Sequence, residues 1–229
     1  MQAHPIEAVT FDALGTLMAL EPPAPRLREA LRKRFGLEVS EAEAERAVAA
    51  EIAYYRAHLH EGGDRAALAD LRRRCAAVLR DALPPAELEL ELLTDALLAA
   101  IRFRAYPDAP PALRALRARG LRLVAVSNWD VSLHDQLAAT GLAEMLDAAL
   151  SSAEAGTAKP DPAIFERALS LVGVAPDAAW HVGDEVGADV EGALAAGLEP
   201  ILIDRGSGAA PPPGVRVIAS LAELPALCA

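Results

Sequence analysis

The first segment that can do chemistry is Asp12-Ala13-Leu14-Gly15-Thr16, in which Asp12 directly follows an apolar run over residues 6–11. A carboxylate with an ordinary pKa of about 3.9 is ionised at neutral pH and can attack phosphorus or carbon. The glycine permits close approach of the backbone, and the N–H groups of such a turn can face an anion. We therefore expect Asp12 to be a nucleophile rather than an aspartate that only caps a turn.

Three further segments carry groups that contact anions or cations. Ser127-Asn128 offers a hydroxyl and backbone N–H groups, and Lys159-Pro160 offers an ammonium that can neutralise a charged substrate. The stretch 183–189 contains three carboxylates, and Mg²⁺ commonly binds one or two carboxylates plus waters. Each segment alone is also typical of an ordinary turn, a surface lysine or an acidic helix start. Asp12 and Asp184 are the carboxylates that we expect at a metal site.

The elements that must position these segments alternate along the chain. Apolar runs predict strands over residues 6–11, 121–126, 148–151, 179–182, 200–204 and 215–218, with helical patterns between them. This alternation predicts an α/β fold with a Rossmann-like parallel sheet and helices on both faces. Between the first strand and the rest lie about 80 residues of helical pattern without a convincing strand, as in an inserted all-helical cap. We place the core at residues 1–17 and 106–229 and the cap at residues 18–105.

The predicted sheet brings the polar segments to one edge. Ligands in open parallel sheets bind beyond the carboxyl ends of the strands. Asp12, Ser127-Asn128 and Gly183-Asp184 all stand at such ends. His181 lies within a predicted strand, so we expect it to be a core residue rather than a catalyst.

The composition narrows the class of protein. The chain has 229 residues, of which 53% are hydrophobic, and a formal net charge of −11. This charge argues against nucleic-acid binding through a basic surface. No apolar run approaches the roughly 18 residues of a membrane span, the start does not resemble a signal peptide, and Cys75 and Cys228 have no redox or metal spacing. We expect a cytoplasmic protein, a monomer or a homodimer, with a small-molecule substrate and no nucleic-acid or membrane partner.

Together the four segments resemble, in their order, the four motifs of the haloacid dehalogenase superfamily, and they cover the chain from about Val9 to Gly197. The resemblance implies hydrolysis through a covalent intermediate on Asp12, with a helical cap inserted after the first motif. It implies substrate contacts from Thr16 and from Ser127 with its neighbour Asn128, and charge stabilisation by Lys159. It also implies Mg²⁺, with expected ligands Asp12, the main chain of Leu14, Asp184 and Asp189.

The sequence departs from the superfamily's phosphatases at Leu14. Those enzymes carry a second aspartate there, which protonates the leaving alcohol and then activates water. The superfamily's 2-haloacid dehalogenases also lack that aspartate, because halide departure needs no proton, but their fourth motif binds no metal. The acidic fourth motif of this chain favours a Mg²⁺-dependent phosphatase acting on a small phosphorylated metabolite, with His134, Asp130 or a cap residue as a substitute proton donor.

Two alternatives remain open from the sequence. One is a metal-independent 2-haloacid dehalogenase, which the first motif favours. The other is a binding or scaffold member of the superfamily with a weak active site.

Overall fold

A parallel sheet of six strands organises the larger of two units in the computed structural model, which describes residues 5–206, 208 and 210–228. The larger unit comprises the residues up to Ala19 and those from Arg104 onward, and the second unit is Leu20–Phe103. Each boundary lies two residues inside the expected cap range of 18–105.

The sheet has the order β5-β4-β1-β6-β7-β8, and each neighbouring pair is parallel. Its strands are β1 (Ala8–Phe11), β4 (Arg122–Ser127), β5 (Ala148–Ser151), β6 (Ala179–Gly183), β7 (Glu199–Ile203) and β8 (Arg216–Ile218). The central position of β1 explains why all four of its residues are buried. The expected α/β class with a Rossmann-like parallel sheet is confirmed.

Register across the sheet decides what surrounds Asp12. Phe11, the last residue of β1, is paired with Ala125 of β4 on one side and with Val182 of β6 on the other. All three strands run in the same direction, so the segments that follow them emerge at the same edge.

Helices connect these strands and bury their apolar faces. They are α5 (Ala109–Arg117), α6 (Leu133–Ala139), α7 (Ser152–Ala155), α8 (Pro162–Ser170), α9 (Gly192–Ala195) and α10 (Leu224–Leu227), with 3₁₀ turns at Ala143–Met145, Pro176–Ala178 and Leu221–Glu223. Helix α8 illustrates the sequence logic. Asp161 caps it by accepting from Ala163 N–H at 2.9 Å, Pro162 occupies the first turn, and Phe165 belongs to the buried core.

The predicted helix over residues 188–196 takes a different form. The structure has a π-helix at Val186–Glu191 followed by α9. π-helical turns are rare and often occur at functional sites. Here the wider turn contains Asp189, which is buried in the site described below.

The second unit contains four helices, α1 (Pro23–Phe35), α2 (Glu41–His58), α3 (Arg65–Ala82) and α4 (Leu90–Ala100), with a 3₁₀ turn at Leu59–Glu61. Ser40 and Glu43 form a reciprocal capping box at the start of α2, and Gly36 ends α1 with φ 64°. None of the helices formed by the described residues is both long and apolar enough to cross a membrane.

Two short strands were missed by the sequence pattern. β2 (Met18–Glu21) and β3 (Arg102–Ala105) pair with each other in a two-stranded sheet. The range 18–105 is therefore not all-helical, because its first and last four residues are extended.

Candidate active site

Asp12 lies in the loop that directly follows β1, and only 6% of its surface is exposed. Its Oδ1 accepts a hydrogen bond from the Ser127 hydroxyl at 3.0 Å and from the Lys159 ammonium at 2.6 Å. Burial raises the pKa of Asp12 to about 6, although Lys159 opposes the shift. Three of the expected site residues thus meet at one oxygen atom, and Oδ2 is left as the atom that can attack.

Lys159 is buried between two carboxylates. Its Nζ donates at 2.6 Å to Asp12 Oδ1 and at 2.6 Å to Asp189 Oδ1. Burial alone would lower the pKa of Lys159, but the two carboxylates raise it above its ordinary value, so the ammonium stays charged. A fixed positive charge at this point holds the Asp12 carboxylate in place.

Asn128 positions the backbone of Lys159. The Asn128 side chain accepts from Lys159 N–H at 2.8 Å and donates to the Lys159 carbonyl at 3.0 Å. This pair of bonds matches a side-chain amide to a peptide group, which only Asn or Gln can do in this way. Asn128 is therefore brought to the site as a support for Lys159 rather than through a bond to Asp12.

Asp189 is saturated with protein donors. Its Oδ1 accepts from Lys159 and from His181 Nε2 at 3.1 Å, and its Oδ2 accepts from Glu185 N–H at 2.9 Å. Burial would raise the pKa of Asp189, but Lys159 and His181 hold it below its ordinary value. The carboxylate is ionised, and its contact with Lys159 orients the ammonium; its role as a metal ligand stays a prediction.

Gly183 makes room for this arrangement. A Cβ on Gly183 would lie 2.1 Å from Cγ of Asp189, which is closer than nonbonded atoms approach. Any side chain at residue 183 would therefore displace Asp189 from Lys159.

His181 is a member of the site that the sequence pattern assigned to the core. It is fully buried, and its Nδ1 lies 2.8 Å from the Thr10 hydroxyl while its Nε2 faces Asp189. Burial lowers the pKa of His181, so the ring is neutral and Nε2 carries the proton that the carboxylate accepts. The sequence carries no signal for this pair, because the contact depends on side-chain geometry between β6 and the turn that holds Asp189.

The turn after Asp12 is built around Gly15 and Asp184. Gly15 has φ 90°, and a Cβ there would lie 2.2 Å from Asp184 Oδ2. The Asp184 carboxylate therefore packs against the Gly15 backbone. Burial, with the charges of Asp12, Asp189 and Glu185, raises the pKa of Asp184 to about 7.

Thr16 provides a hydroxyl without a partner among the described residues. Its Oγ1 is buried and accepts or donates no hydrogen bond there. A buried hydroxyl of this kind costs free energy unless something outside the chain satisfies it. The Thr16 hydroxyl therefore has hydrogen-bonding capacity free for a bound molecule.

Leu14 is half-buried and has no group that transfers a proton. Of the substitutes considered from the sequence, His134 is exposed and pairs with Glu154 at 2.9 Å. Asp130 is buried and accepts from Ser132 N–H at 2.6 Å.

The charge balance of the site leaves room for a cation. Asp12, Asp184 and Asp189 bring three carboxyl groups to the neighbourhood of one ammonium. Asp12 and Asp184 supply hard oxygen atoms, which Mg²⁺ prefers. Among the described residues no three acidic, histidine or cysteine side chains are grouped closely enough to hold a metal. The residues present offer a cation two carboxylates, those of Asp12 and Asp184, and the rest of its coordination would have to come from the main chain and water.

Comparison with known proteins agrees with this geometry. A family model described as haloacid dehalogenase-like hydrolase matches residues 6–197. "Haloacid dehalogenase-like hydrolase domain-containing protein 3" of Bos taurus is 39% identical over 127 residues, which is 56% of this chain and 50% of that protein. "Phosphoserine phosphatase" of Thermus thermophilus is 42% identical over 106 residues, 46% of this chain and 43% of that protein. The chain thus matches about half the length of these relatives.

A solved structure resembles the chain over nearly its whole length. The 2-haloacid dehalogenase of Pseudomonas syringae pv. Tomato superposes with a TM-score of 0.68 at 25% identity, covering 97% of each chain. Proteins named for phosphatase and for dehalogenase activity are therefore both similar to this chain.

Proposed function

The chain belongs to the haloacid dehalogenase-like hydrolase family, and from that premise we propose that it is a Mg²⁺-dependent phosphatase of a small phosphorylated metabolite. The observation that carries the proposal is the Asp184 carboxylate, which packs against Gly15 beside Asp12. Attack on carbon gains nothing from a second, half-buried carboxylate there, whereas a phosphoryl group needs a cation that such a carboxylate can hold.

The proposed reaction has two displacements at phosphorus. An Asp12 carboxylate oxygen attacks the phosphorus atom, the bond to the leaving oxygen breaks, and an aspartyl phosphate forms. Water then attacks the same phosphorus atom, which releases inorganic phosphate and restores the carboxylate. Each step consumes one bond to phosphorus and forms one, so the net reaction is hydrolysis of a phosphate ester.

The chain's own residues assist both displacements. Lys159 holds Asp12 and offsets the charge of the incoming phosphoryl group, and Asp189 and His181 hold Lys159. The hydroxyl of Thr16 is available to a phosphoryl oxygen, whereas the hydroxyl of Ser127 already donates to Asp12. Mg²⁺ bound by Asp12, Asp184 and the Leu14 carbonyl would supply further neutralisation of negative charge.

A direct assay tests this function. p-Nitrophenyl phosphate should be hydrolysed with Mg²⁺ and not after treatment with EDTA. Asp12→Asn should lower the rate by about 10³-fold or more, because the neutral amide cannot act as the nucleophile. Full activity in EDTA, or retained turnover in a clean Asp12→Asn preparation, would contradict the proposal.

A second candidate function rests on Leu14. Without a proton donor two residues after the nucleophile, the site suits a leaving group that departs as a stable anion, such as a halide. The similarity to a 2-haloacid dehalogenase is in keeping with this alternative. Halide release from 2-chloropropionate without metal would establish it. The absence of turnover on broad panels of both substrate classes would instead favour a binding role.

A further inference from the structure

Arg205 lies two residues after the end of β7 and reaches the loop that follows Asp12. Its Nε donates to the Gly15 carbonyl at 3.1 Å, and its Nη2 donates to the Thr16 carbonyl at 2.8 Å. The side chain is 19% exposed. Two consecutive carbonyl groups of the nucleophile loop are thus bound by one guanidinium that is 190 residues distant from Gly15 in sequence.

The other side of the guanidinium is held as firmly. The Asp108 carboxylate accepts one hydrogen bond from Nη1 and one from Nη2, each of 3.1 Å. The guanidinium carbon also lies 3.6 Å from the centre of the Tyr106 ring. Asp108 is itself fixed by the Ser220 hydroxyl at 2.8 Å and by Leu221 N–H at 2.9 Å. Burial would raise the pKa of Asp108, but these donors hold it below its ordinary value, so the pair is ionised.

Tyr106 and Asp108 lie in the segment with which the chain re-enters the larger unit. Tyr106 N–H donates to the Leu17 carbonyl at 3.0 Å, and Tyr106 comes shortly after the boundary at Arg104. Arg205 therefore joins the loop after the nucleophile to the segment that follows β3.

We propose that Arg205 is a positioning residue for the nucleophile loop. A trans peptide group is planar, so fixing the Gly15 carbonyl also fixes the Thr16 N–H, which points in the opposite direction. Fixing the Thr16 carbonyl in addition sets both peptide planes that flank the Thr16 side chain. Arg205 thereby orients the partnerless Thr16 hydroxyl and the adjoining backbone toward the site of phosphoryl transfer. The catalytic part of this inference rests on the proposed phosphatase function.

Arginine suits this role and lysine does not. The guanidinium presents a rigid fork of N–H donors, and here it makes four bonds to two carbonyls and one carboxylate. An ammonium is a single donor centre that cannot reach both sides. Arg205→Lys keeps the positive charge but loses the fork of donors, so this variant distinguishes an effect of hydrogen-bond geometry from an effect of charge.

The test compares Arg205→Ala and Arg205→Lys with Arg216→Ala, an exposed arginine on the neighbouring strand β8. For p-nitrophenyl phosphate with Mg²⁺ we expect kcat to fall about 10²-fold in Arg205→Ala, with KM changed less than threefold, because the loop is misplaced rather than removed. The kcat of Arg205→Lys should stay below about a tenth of the wild-type value. Asp108→Asn, which keeps both carbonyl bonds but weakens the anchor, should lose about tenfold. Arg216→Ala should match the wild type.

Amide hydrogen exchange of the peptide spanning residues 13–18 gives a readout that needs no activity. Arg205→Ala and Arg205→Lys should accelerate exchange there at least tenfold relative to Arg216→Ala, while peptides of β4 stay unchanged. Unchanged exchange in residues 13–18 would overturn the inference, and so would a kcat within twofold of the wild type. If Arg205→Ala does not fold, Arg205→Lys and Asp108→Asn decide the outcome by the same criteria. If the wild-type protein hydrolyses no phosphate ester, the proposed phosphatase function is wrong. The exchange result still tests whether Arg205 positions the loop after Asp12.

Discussion

At the scale of single residues, Leu14 sets the limit on the proposed chemistry. A leaving alcohol that receives no proton departs as an alkoxide, so the rate should depend steeply on its acidity. We predict that Leu14→Asp raises kcat for an alkyl phosphate by about 10-fold or more, since a well-placed general acid–base group contributes a factor of about 10² to 10⁴. The gain for p-nitrophenyl phosphate should be much smaller.

The matched control is Leu14→Asn, which has nearly the same shape but cannot transfer a proton. It should leave both rates near those of the wild type. An equal gain from Asn and Asp would show that the effect is steric, and no gain from Asp would mean that another group already supplies the proton.

Asp184 leads to a prediction about pH. Its pKa is raised to about 7, and a carboxylic acid binds Mg²⁺ only after it loses its proton. Below pH 7 the proton therefore competes with the ion. We expect the apparent Kd for Mg²⁺, measured by calorimetry, to rise at least about tenfold between pH 8 and pH 6. Asp184→Asn should bind weakly at every pH, and an affinity constant across this range would argue against Asp184 as a ligand.

At the scale of elements, helix α2 carries a buried acid in the interior of its own unit. Glu51 is 3% exposed, and burial raises its pKa to about 7, although a hydrogen bond with Cys75 opposes the shift. The folded state therefore holds a proton between about pH 4.5 and 7 that the unfolded state has released. The contribution of Glu51 to the free energy of unfolding is therefore greatest below about pH 4.5 and is lost as the pH rises to about 7 and above.

We predict that Glu51→Gln stabilises the protein at pH 8 by up to about 3 kcal/mol, since the amide has no charge to bury. The stability of the variant should also vary less between pH 5 and 8. Denaturant unfolding at both pH values measures the effect. Glu45→Gln, an exposed change on the same helix, is the control and should change neither value. Equal stabilisation by both substitutions would refute the argument from burial.

The sequence pattern located the six core strands to within two residues because they are apolar runs next to turn residues. It missed β2 and β3 for a physical reason. Neither is a buried apolar run: most of Met18–Glu21 is half-buried, and Arg102–Ala105 alternates exposed and half-buried positions directly after helical sequence. The π-helix at Val186–Glu191 was missed because its cause is a buried contact of Asp189 rather than a local propensity.

The sequence predicts which residues belong to the site better than it predicts the hydrogen bonds between them. Strand ends place Asp12, Ser127 and Asp184 near one another in any parallel sheet of this order. The pairing of Asp189 with Lys159 and His181 depends on side-chain geometry across three segments, which no spacing encodes. Arg205 had no signal at all, because an arginine after a strand is ordinary in a chain rich in arginine.

At the scale of the whole molecule, the net charge of −11 opposes the approach of an anionic substrate. Screening removes most of that repulsion, because the Debye length falls from about 30 Å at 0.01 M salt to about 8 Å at 0.15 M. We predict that kcat/KM for p-nitrophenyl phosphate at saturating Mg²⁺ rises about twofold over this range while kcat stays constant. A fall in kcat/KM would instead reveal local attraction that outweighs the net charge.

The central place of β1 in the sheet has a consequence for synthesis of the chain. Thr10 bonds to His181, so the strand made first finds one of its two neighbours only 171 residues later. At about 5 to 20 residues per second, the ribosome takes roughly 10 to 30 s to supply that partner. Lys159 is made 147 residues after Asp12, and Asp189 follows 30 residues later. The nucleophile is translated well before the residues that surround it, so the nascent chain has no complete site until Asp189 has been made.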